Sequence, residues 1–169
     1  MPQAAAPATS AVARIRPARD DDAQDLFGLL ALCFADYPGC YVDPHADLAD
    51  LRAPGAAFSE RGGAFFVVED ERGRVCACIA IDCLEPGVGE PHRLYVRPDR
   101  RGKGIGGMLI ARAEDHARRL RATQMVFWSD TRFMTAHRLY ERHGYKRVGA
   151  TRELGDVSNS VEYRFEKQF

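Results

Sequence analysis

From Ala64 to Glu69 the chain runs A-F-F-V-V-E, and residues 75–83 run V-C-A-C-I-A-I-D-C. Two unbroken apolar runs separated by Asp70, Glu71, Arg72 and Gly73 predict a hairpin of buried strands. A third strand is expected at residues 91–96, after a loop at 85–90 that contains Gly and Pro. The period then changes. Ile105, Met108, Leu109, Ala113, Ala117 and Leu120 recur at helical spacing, which predicts an amphipathic helix. Arg118, Arg119 and Arg121 sit near its C-terminus, where the helix dipole favours cations. A buried strand at 125–128 should return beside the earlier one. Asp130 or Thr131 can cap a last helix that reaches His143 and is stopped by Gly144. Closing strands are expected near 145–148 and 160–166.

The pattern is less regular before Ala64. A short strand is expected at 13–16, ended by Pro17, which lacks a backbone donor. Asp20 suits a helix N-cap, with Asp21 and Asp22 following in the first turn. That helix carries Leu26, Phe27, Leu29, Leu30 and Phe34 on one stripe and is broken at 37–43. A weaker helix is expected at 44–51. The order of elements, with one strand–helix–strand crossover, predicts a mixed α/β sheet with helices on its faces.

Composition narrows the class. With 169 residues and 46% hydrophobic content the chain suits one globular domain. Its 24 basic and 24 acidic residues argue against nucleic acid or an anionic membrane as the main partner. Residues 1–12, rich in Ala, Pro, Ser and Thr, are expected to form a disordered arm, and residues 13–169 a single domain. No stretch is long and apolar enough to span a membrane, and no secretion signal is recognisable, so a cytoplasmic location is expected. Cys33, Cys40, Cys76, Cys78 and Cys83 are odd in number and lack C-x-x-C spacing, which predicts reduced thiols. Cys76 and Cys78, two apart in a strand, should share a face.

The densest chemistry lies at Arg101-Gly102-Lys103-Gly104-Ile105-Gly106, followed by Gly107. Glycines at a helix start let the backbone approach a ligand, and the first amides of the helix have no internal partner. A phosphate or pyrophosphate is the natural ligand, with Arg100, Arg101 and Lys103 adding positive charge. A P-loop needs Gly-Lys followed by Ser or Thr, and here Met108 follows Gly107. Gly102, Gly104 and Gly107 satisfy G-x-G-x-x-G. However, Arg97-Pro98-Asp99-Arg100-Arg101 separates them from the strand that a dinucleotide fold would run straight into the first glycine.

The remaining pattern, Arg101-x-x-Gly104-x-Gly106 after Leu94-Tyr95-Val96, closely resembles the acetyl-CoA signature of the GNAT superfamily of N-acetyltransferases. Downstream, Ala136-His137-Arg138-Leu139-Tyr140-Glu141-Arg142-His143-Gly144-Tyr145 resembles that family's second motif. The resemblance implies a central, mostly antiparallel twisted sheet with a splayed parallel pair. It implies acetyl-CoA as co-substrate, no metal, and direct transfer to a primary amine of a small molecule or peptide. Leu94, Tyr95, Val96, Arg101, Gly102, Lys103, Gly104, Ile105 and Gly106 would hold the cofactor. The amide of Val96 would stabilise developing negative charge. Tyr140 would be the general acid and Glu90 the candidate general base, for which an ordinary loop acid is the alternative. Many family members carry Asn where Phe133 stands, so that contact does not carry over. The acceptor would lie between residues 34–50 and 151–160, with Asp36, Tyr37, Tyr41 and Asp43 as candidate contacts. Homodimers are common in the family, and no surface patch is readable here. The alternative reading is a non-catalytic acyl-CoA-binding module on the same fold. Asp43, His45 and Asp47 could suggest a metal site, but two-residue spacing in a Pro-containing loop argues for a solvated loop instead.

Overall fold

The computed structural model describes residues 14–169. The arm expected at residues 1–12, and Ala13 at the start of the first expected strand, lie outside the described residues. Strands β1 (Ile15–Pro17), β2 (Ala64–Glu69), β3 (Val75–Asp82), β4 (Val88–Val96), β5 (Gln124–Asp130), β6 (Lys146–Glu153) and β7 (Val161–Gln168) form one sheet. Their order is β1-β2-β3-β4-β5-β7-β6. All neighbours are antiparallel except β4 and β5. The helices are α1 (Ala23–Phe34), α2 (Pro54–Ser59), α3 (Ile105–Arg119) and α4 (Met134–Arg142).

The apolar runs of β2 and β3 do not alternate because both faces are covered. Phe65, Val67 and Ala80 pack with Leu26, Leu30 and Phe58 from α1 and α2. Phe66, Val68, Ile79 and Ile81 pack with Leu109, Ile110 and Ala113 from α3. Each of these large side chains, once fully buried, contributes about 1.5–3 kcal/mol.

The hairpin, the crossover helix α3 and the closing strands form where the periodicity places them. Three local expectations fail for identifiable reasons. The first is the helix at 44–51. That segment is instead a set of turns in which Asp43 Oδ1 accepts from the His45 amide at 2.8 Å and Asp47 Oδ2 from the Asp43 amide at 2.7 Å. Side chains that bond their own backbone compete with the helix. The helix forms later, at α2, with Pro54 in its first turn. The second is the role of Asp20. Its Oδ1 accepts from the amides of Gly55 and Ala56 at 3.0 and 3.2 Å, so it caps α2 across space rather than its own helix. The third is the last helix, which is entered through Phe133 rather than capped by Asp130 or Thr131. Asp130 ends β5 and forms an ion pair with Arg132 at 2.6 Å.

The cysteines give a fourth correction. All five are free. Cys76 belongs to the α3-side core, while Cys78 belongs to the α1-side core. The pairing steps from Val68–Ala77 to Glu69–Val75, so Cys76 is the extra residue of a β-bulge. A bulge shifts the alternation of faces by one.

The parallel pair is short. Only Val88–Gln124 and Gly89–Met125 are partners. A Cβ on Gly89 would stand 2.6 Å from Met125 Sδ and 2.8 Å from Ala117 Cβ, so glycine is required where the strands touch. Beyond Gly89 the strands diverge, and β5 pairs only with β7. The splayed pair that the resemblance implies is therefore present.

Candidate active site

The gap between β4 and β5 opens into a cavity of about 600 Å³. Leu94, Tyr95, Val96, Gly104, Gly106 and Tyr140 line it, as does Glu90. At one end is the mouth of α3. The first α-type bond of that helix runs from the Met108 amide to the Gly104 carbonyl, at 3.1 Å. The amides of Ile105, Gly106 and Gly107 therefore have no partner within the helix. Gly102 and Gly104 have φ of +73° and +81°, and nothing lies within 4 Å of a Cβ built on either. Their backbone turns left-handed beside open space, a cradle suited to a pyrophosphate. Gly106 and Gly107 have a different reason for being glycine. A Cβ on them would meet Leu139 Cδ2 at 2.7 Å and His143 Nε2 at 2.8 Å, so they let α4 pack closely on α3.

The side chains of the loop are less free than the sequence suggests. Arg101 donates through Nε to the Val96 carbonyl at 2.9 Å and pairs with Asp36 at 2.6 Å. Arg100 pairs with Glu71 at 2.5 Å. Lys103 Nζ lies 3.2 Å from the Asp99 carbonyl. The backbone amides, rather than these cations, are the unspent donors at this end.

Val96 stands at the end of the free edge of β4. The Arg97 amide donates to the Cys76 carbonyl at 2.9 Å, so Arg97 faces β3. By strand alternation the peptide groups of Val96 face the other way, into the gap. Its carbonyl is already taken by Arg101 and the Cys33 thiol, at 2.9 and 3.5 Å. Its side chain and that of Leu94 pack on the α3-side core, whereas Tyr95 packs on the opposite face, against Phe34.

Tyr140 projects from α4 into the cavity wall and is nearly buried. Its ring packs edge-on against Phe127 at 4.7 Å and Phe165 at 5.3 Å. Burial pushes the phenol above its ordinary pKa of 10.0, and the hydroxyl of Ser129 acts in the opposite sense. Ser129 is held in turn by His137, with Nε2 3.2 Å from its Oγ. The phenol thus stays protonated through neutral pH and well above it. Glu90 lies within β4, opposite Asp82, rather than in a loop. Among the described residues it is in no ion pair. Phe133 packs at a tilt against Tyr37, at 4.7 Å, and Phe34, at 6.1 Å, and closes the cavity between α1 and α4.

At the end where an acceptor is expected, Tyr37 and Tyr41 line the cavity, but Asp36 and Asp43 do not. Asp36 is held by Arg101, and Asp43 by its own loop. The carboxylates at this end are Asp47, Asp50, Asp130, Asp156 and Glu162, of which Asp130 is paired with Arg132. Asp47 and Asp50 pair with Arg93, at 3.4 and 3.0 Å. Arg93 has φ +56° and occupies a second bulge, where the pairing steps from Ala80–His92 to Cys78–Tyr95. Sequence reasoning missed these partners because they meet only in the folded chain.

The family model described as an acetyltransferase (GNAT) domain matches residues 61–147, and the chain belongs to this family. An uncharacterized N-acetyltransferase of Schizosaccharomyces pombe is 32% identical over 98 residues, which is 57% of this chain. The chain spans 60% of that relative's length. A GNAT-family acetyltransferase of Staphylococcus aureus superposes with a TM-score of 0.79 at 13% identity, over 93% of this chain and 99% of that one. A phosphinothricin acetyltransferase of Sinorhizobium meliloti, in complex with AcCoA, gives 0.74 at 18% identity, over 92% and 88%. The fold is shared throughout. Among the described residues, no helix is long and apolar enough to cross a membrane.

Proposed function

We propose that residues 13–169 form one N-acetyltransferase domain, which transfers an acetyl group from acetyl-CoA directly to a primary amine of a small molecule or peptide. One observation carries this reading: the free amides at the mouth of α3, the open edge of β4 and the Tyr140 phenol all face a single cavity. The AcCoA complex of the Sinorhizobium meliloti enzyme supports the choice of co-substrate. The amides of Gly102 to Gly106 would hold the pyrophosphate, and the edge at Leu94 to Val96 would align the pantetheine arm. When bound, acetyl-CoA supplies an activated acyl group and a thiolate leaving group. The Val96 amide would donate to the acyl oxygen as it gains charge, a contribution of about 3 kcal/mol for one such donor. Glu90 would take a proton from the incoming ammonium, directly or through water, and Tyr140 would give one to the departing sulfur.

Release of free thiol from acetyl-CoA, measured across a panel of amines, tests the activity. Steady turnover with at least one amine is the expected result. Binding without turnover on any amine would instead favour an acyl-CoA-binding module. Gly104→Trp should abolish the thermal stabilisation that acetyl-CoA confers, because a side chain at φ +81° would strain the loop and fill the open space beside it. Unchanged stabilisation would move the cofactor elsewhere.

A further inference from the structure

The acceptor end of the cavity constrains the amine more tightly than the family does. Resting on the acetyl-transfer reading above, we propose that the acceptor is a primary amine with an apolar body and no anionic group. Carboxylate- or phosphonate-bearing amines are then excluded.

The argument starts from the cations. Two guanidiniums line the acceptor end, those of Arg93 and Arg152. Arg152 is engaged by Glu162 through two contacts, at 2.8 and 2.7 Å, and lies over the Trp128 ring at 4.3 Å. Arg93 is held between Asp50 and Asp47, with only 16% of its side chain exposed. Each cation that could receive an acidic group on the acceptor already has a carboxylate of the chain. Of the other cavity-lining arginines, Arg101 is paired with Asp36 and Arg100 with Glu71, and Arg142 ends α4.

The carboxylates are in excess here. Glu90 is in no ion pair among the described residues. Asp156 takes only neutral donors, the Ser160 amide at 2.7 Å and the Ser160 hydroxyl at 2.8 Å. This balance attracts an ammonium and repels a second anionic group, which would be desolvated without a partner. A site that leaves a buried charge unpaired discriminates steeply against the ligand that carries it.

The body of the acceptor is read from the walls. Phe133 and Tyr37 pack ring against ring in a tilted pair on one side, with centroids 4.7 Å apart. Tyr41 and Leu154 line the mouth while 62% and 46% exposed. The loops that carry them are tied together, because the Tyr41 amide donates to Ser158 Oγ at 2.8 Å and that hydroxyl lies 3.2 Å from the Tyr41 carbonyl. The apolar rim is therefore built on a joined pair of loops.

The test uses a matched pair that differs only by a carboxylate: phenethylamine and L-phenylalanine. Thiol release from acetyl-CoA should give a kcat/KM at least about a hundredfold higher for phenethylamine. Glu162→Gln removes the partner of Arg152 and should narrow that ratio at least about tenfold, by raising activity on L-phenylalanine. Thermal unfolding of the variant confirms that it is folded. If it is not, the wild-type ratio alone decides. Equal or better turnover of L-phenylalanine by the wild-type chain overturns this inference and leaves acetyl transfer standing. So does turnover of neither compound while acetyl-CoA still stabilises the fold. Loss of that stabilisation would instead sink the acetyl-transfer reading itself.

Discussion

Tyr140→Phe separates the phenol's chemistry from its packing. The ring sits among Phe127, Tyr145, Phe165 and His137, at centroid distances of 4.7, 6.2, 5.3 and 6.4 Å. Phenylalanine keeps that ring. What is lost is one hydroxyl and its interaction with Ser129. The net change in folding stability should stay within about 1 kcal/mol, because a lost hydrogen bond is offset by burying one polar atom fewer. Tyr140→Ala, by contrast, should cost about 3–5 kcal/mol through the cavity it leaves. Turnover should behave differently. A positioned acid contributes about 10²–10⁴ in rate, or about 3–5 kcal/mol of barrier at 1.36 kcal/mol per tenfold. Steady-state thiol release should therefore fall at least about a hundredfold in Tyr140→Phe, with KM for acetyl-CoA little changed and the unfolding midpoint nearly constant. The raised pKa adds a condition on pH. The acid form must persist, so the wild-type chain should lose no activity through this group below about pH 10. Wild-type turnover by Tyr140→Phe would remove the phenol from the mechanism and leave it a core side chain.

Two further outcomes concern stability. Asp20→Ala should cost about 1 kcal/mol, the usual value of an N-cap, because it strips α2 of its acceptor for the Gly55 and Ala56 amides; an unchanged denaturant midpoint would deny the cap across space. Burial raises the pKa of Tyr95, Tyr140 and Tyr145 above 10.0 and of Cys78 above 9.0. Their contribution to stability is complete below those ordinary values. It is lost as pH rises past them, because the unfolded chain ionises first. Denaturant midpoints should thus decline between pH 9 and 11, and a flat profile would contradict the burial of these groups.

The parts legible in the sequence were those fixed by local pattern. The β2–β3 hairpin, α3 and its glycine mouth follow from runs and periods that need no knowledge of distant residues. The parts that were not legible depend on contacts across the chain. Nothing local tells Asp20 that the amides it caps belong to Gly55 and Ala56. The acidic side chains expected at the acceptor, Asp36 and Asp43, proved to be committed to Arg101 and to their own loop, while Asp47 and Asp50 meet Arg93 on a segment that Leu48 and Leu51 anchor in the α1-side core. Phe133, which stands where many family members carry Asn, packs against Phe34 and Tyr37.

The second bulge connects these local and distant effects. Without an extra residue in β4, the register set by Ala80–His92 would place Leu94 opposite Cys78 and leave Tyr95 facing the gap. With it, Tyr95 stands opposite Cys78, and the Val96 amide turns into the gap. The residue that makes room is Arg93, at φ +56°, a conformation that costs a non-glycine residue about 1–2 kcal/mol. Its carbonyl accepts from the Cys78 thiol at 3.1 Å, and its guanidinium is held by Asp50 and Asp47, which offset that cost. Comparing Arg93→Gly with Arg93→Ala isolates the strain, since both lose the guanidinium but only alanine keeps a Cβ. The glycine variant regains the strain energy and forfeits about 0.5–1 kcal/mol to the freer unfolded chain. It should therefore be the more stable of the two by about 0.5–1 kcal/mol in denaturant unfolding. An alanine variant as stable as the glycine one would mean that the bulge is unstrained, and that the turn of the Val96 amide into the gap needs no such support.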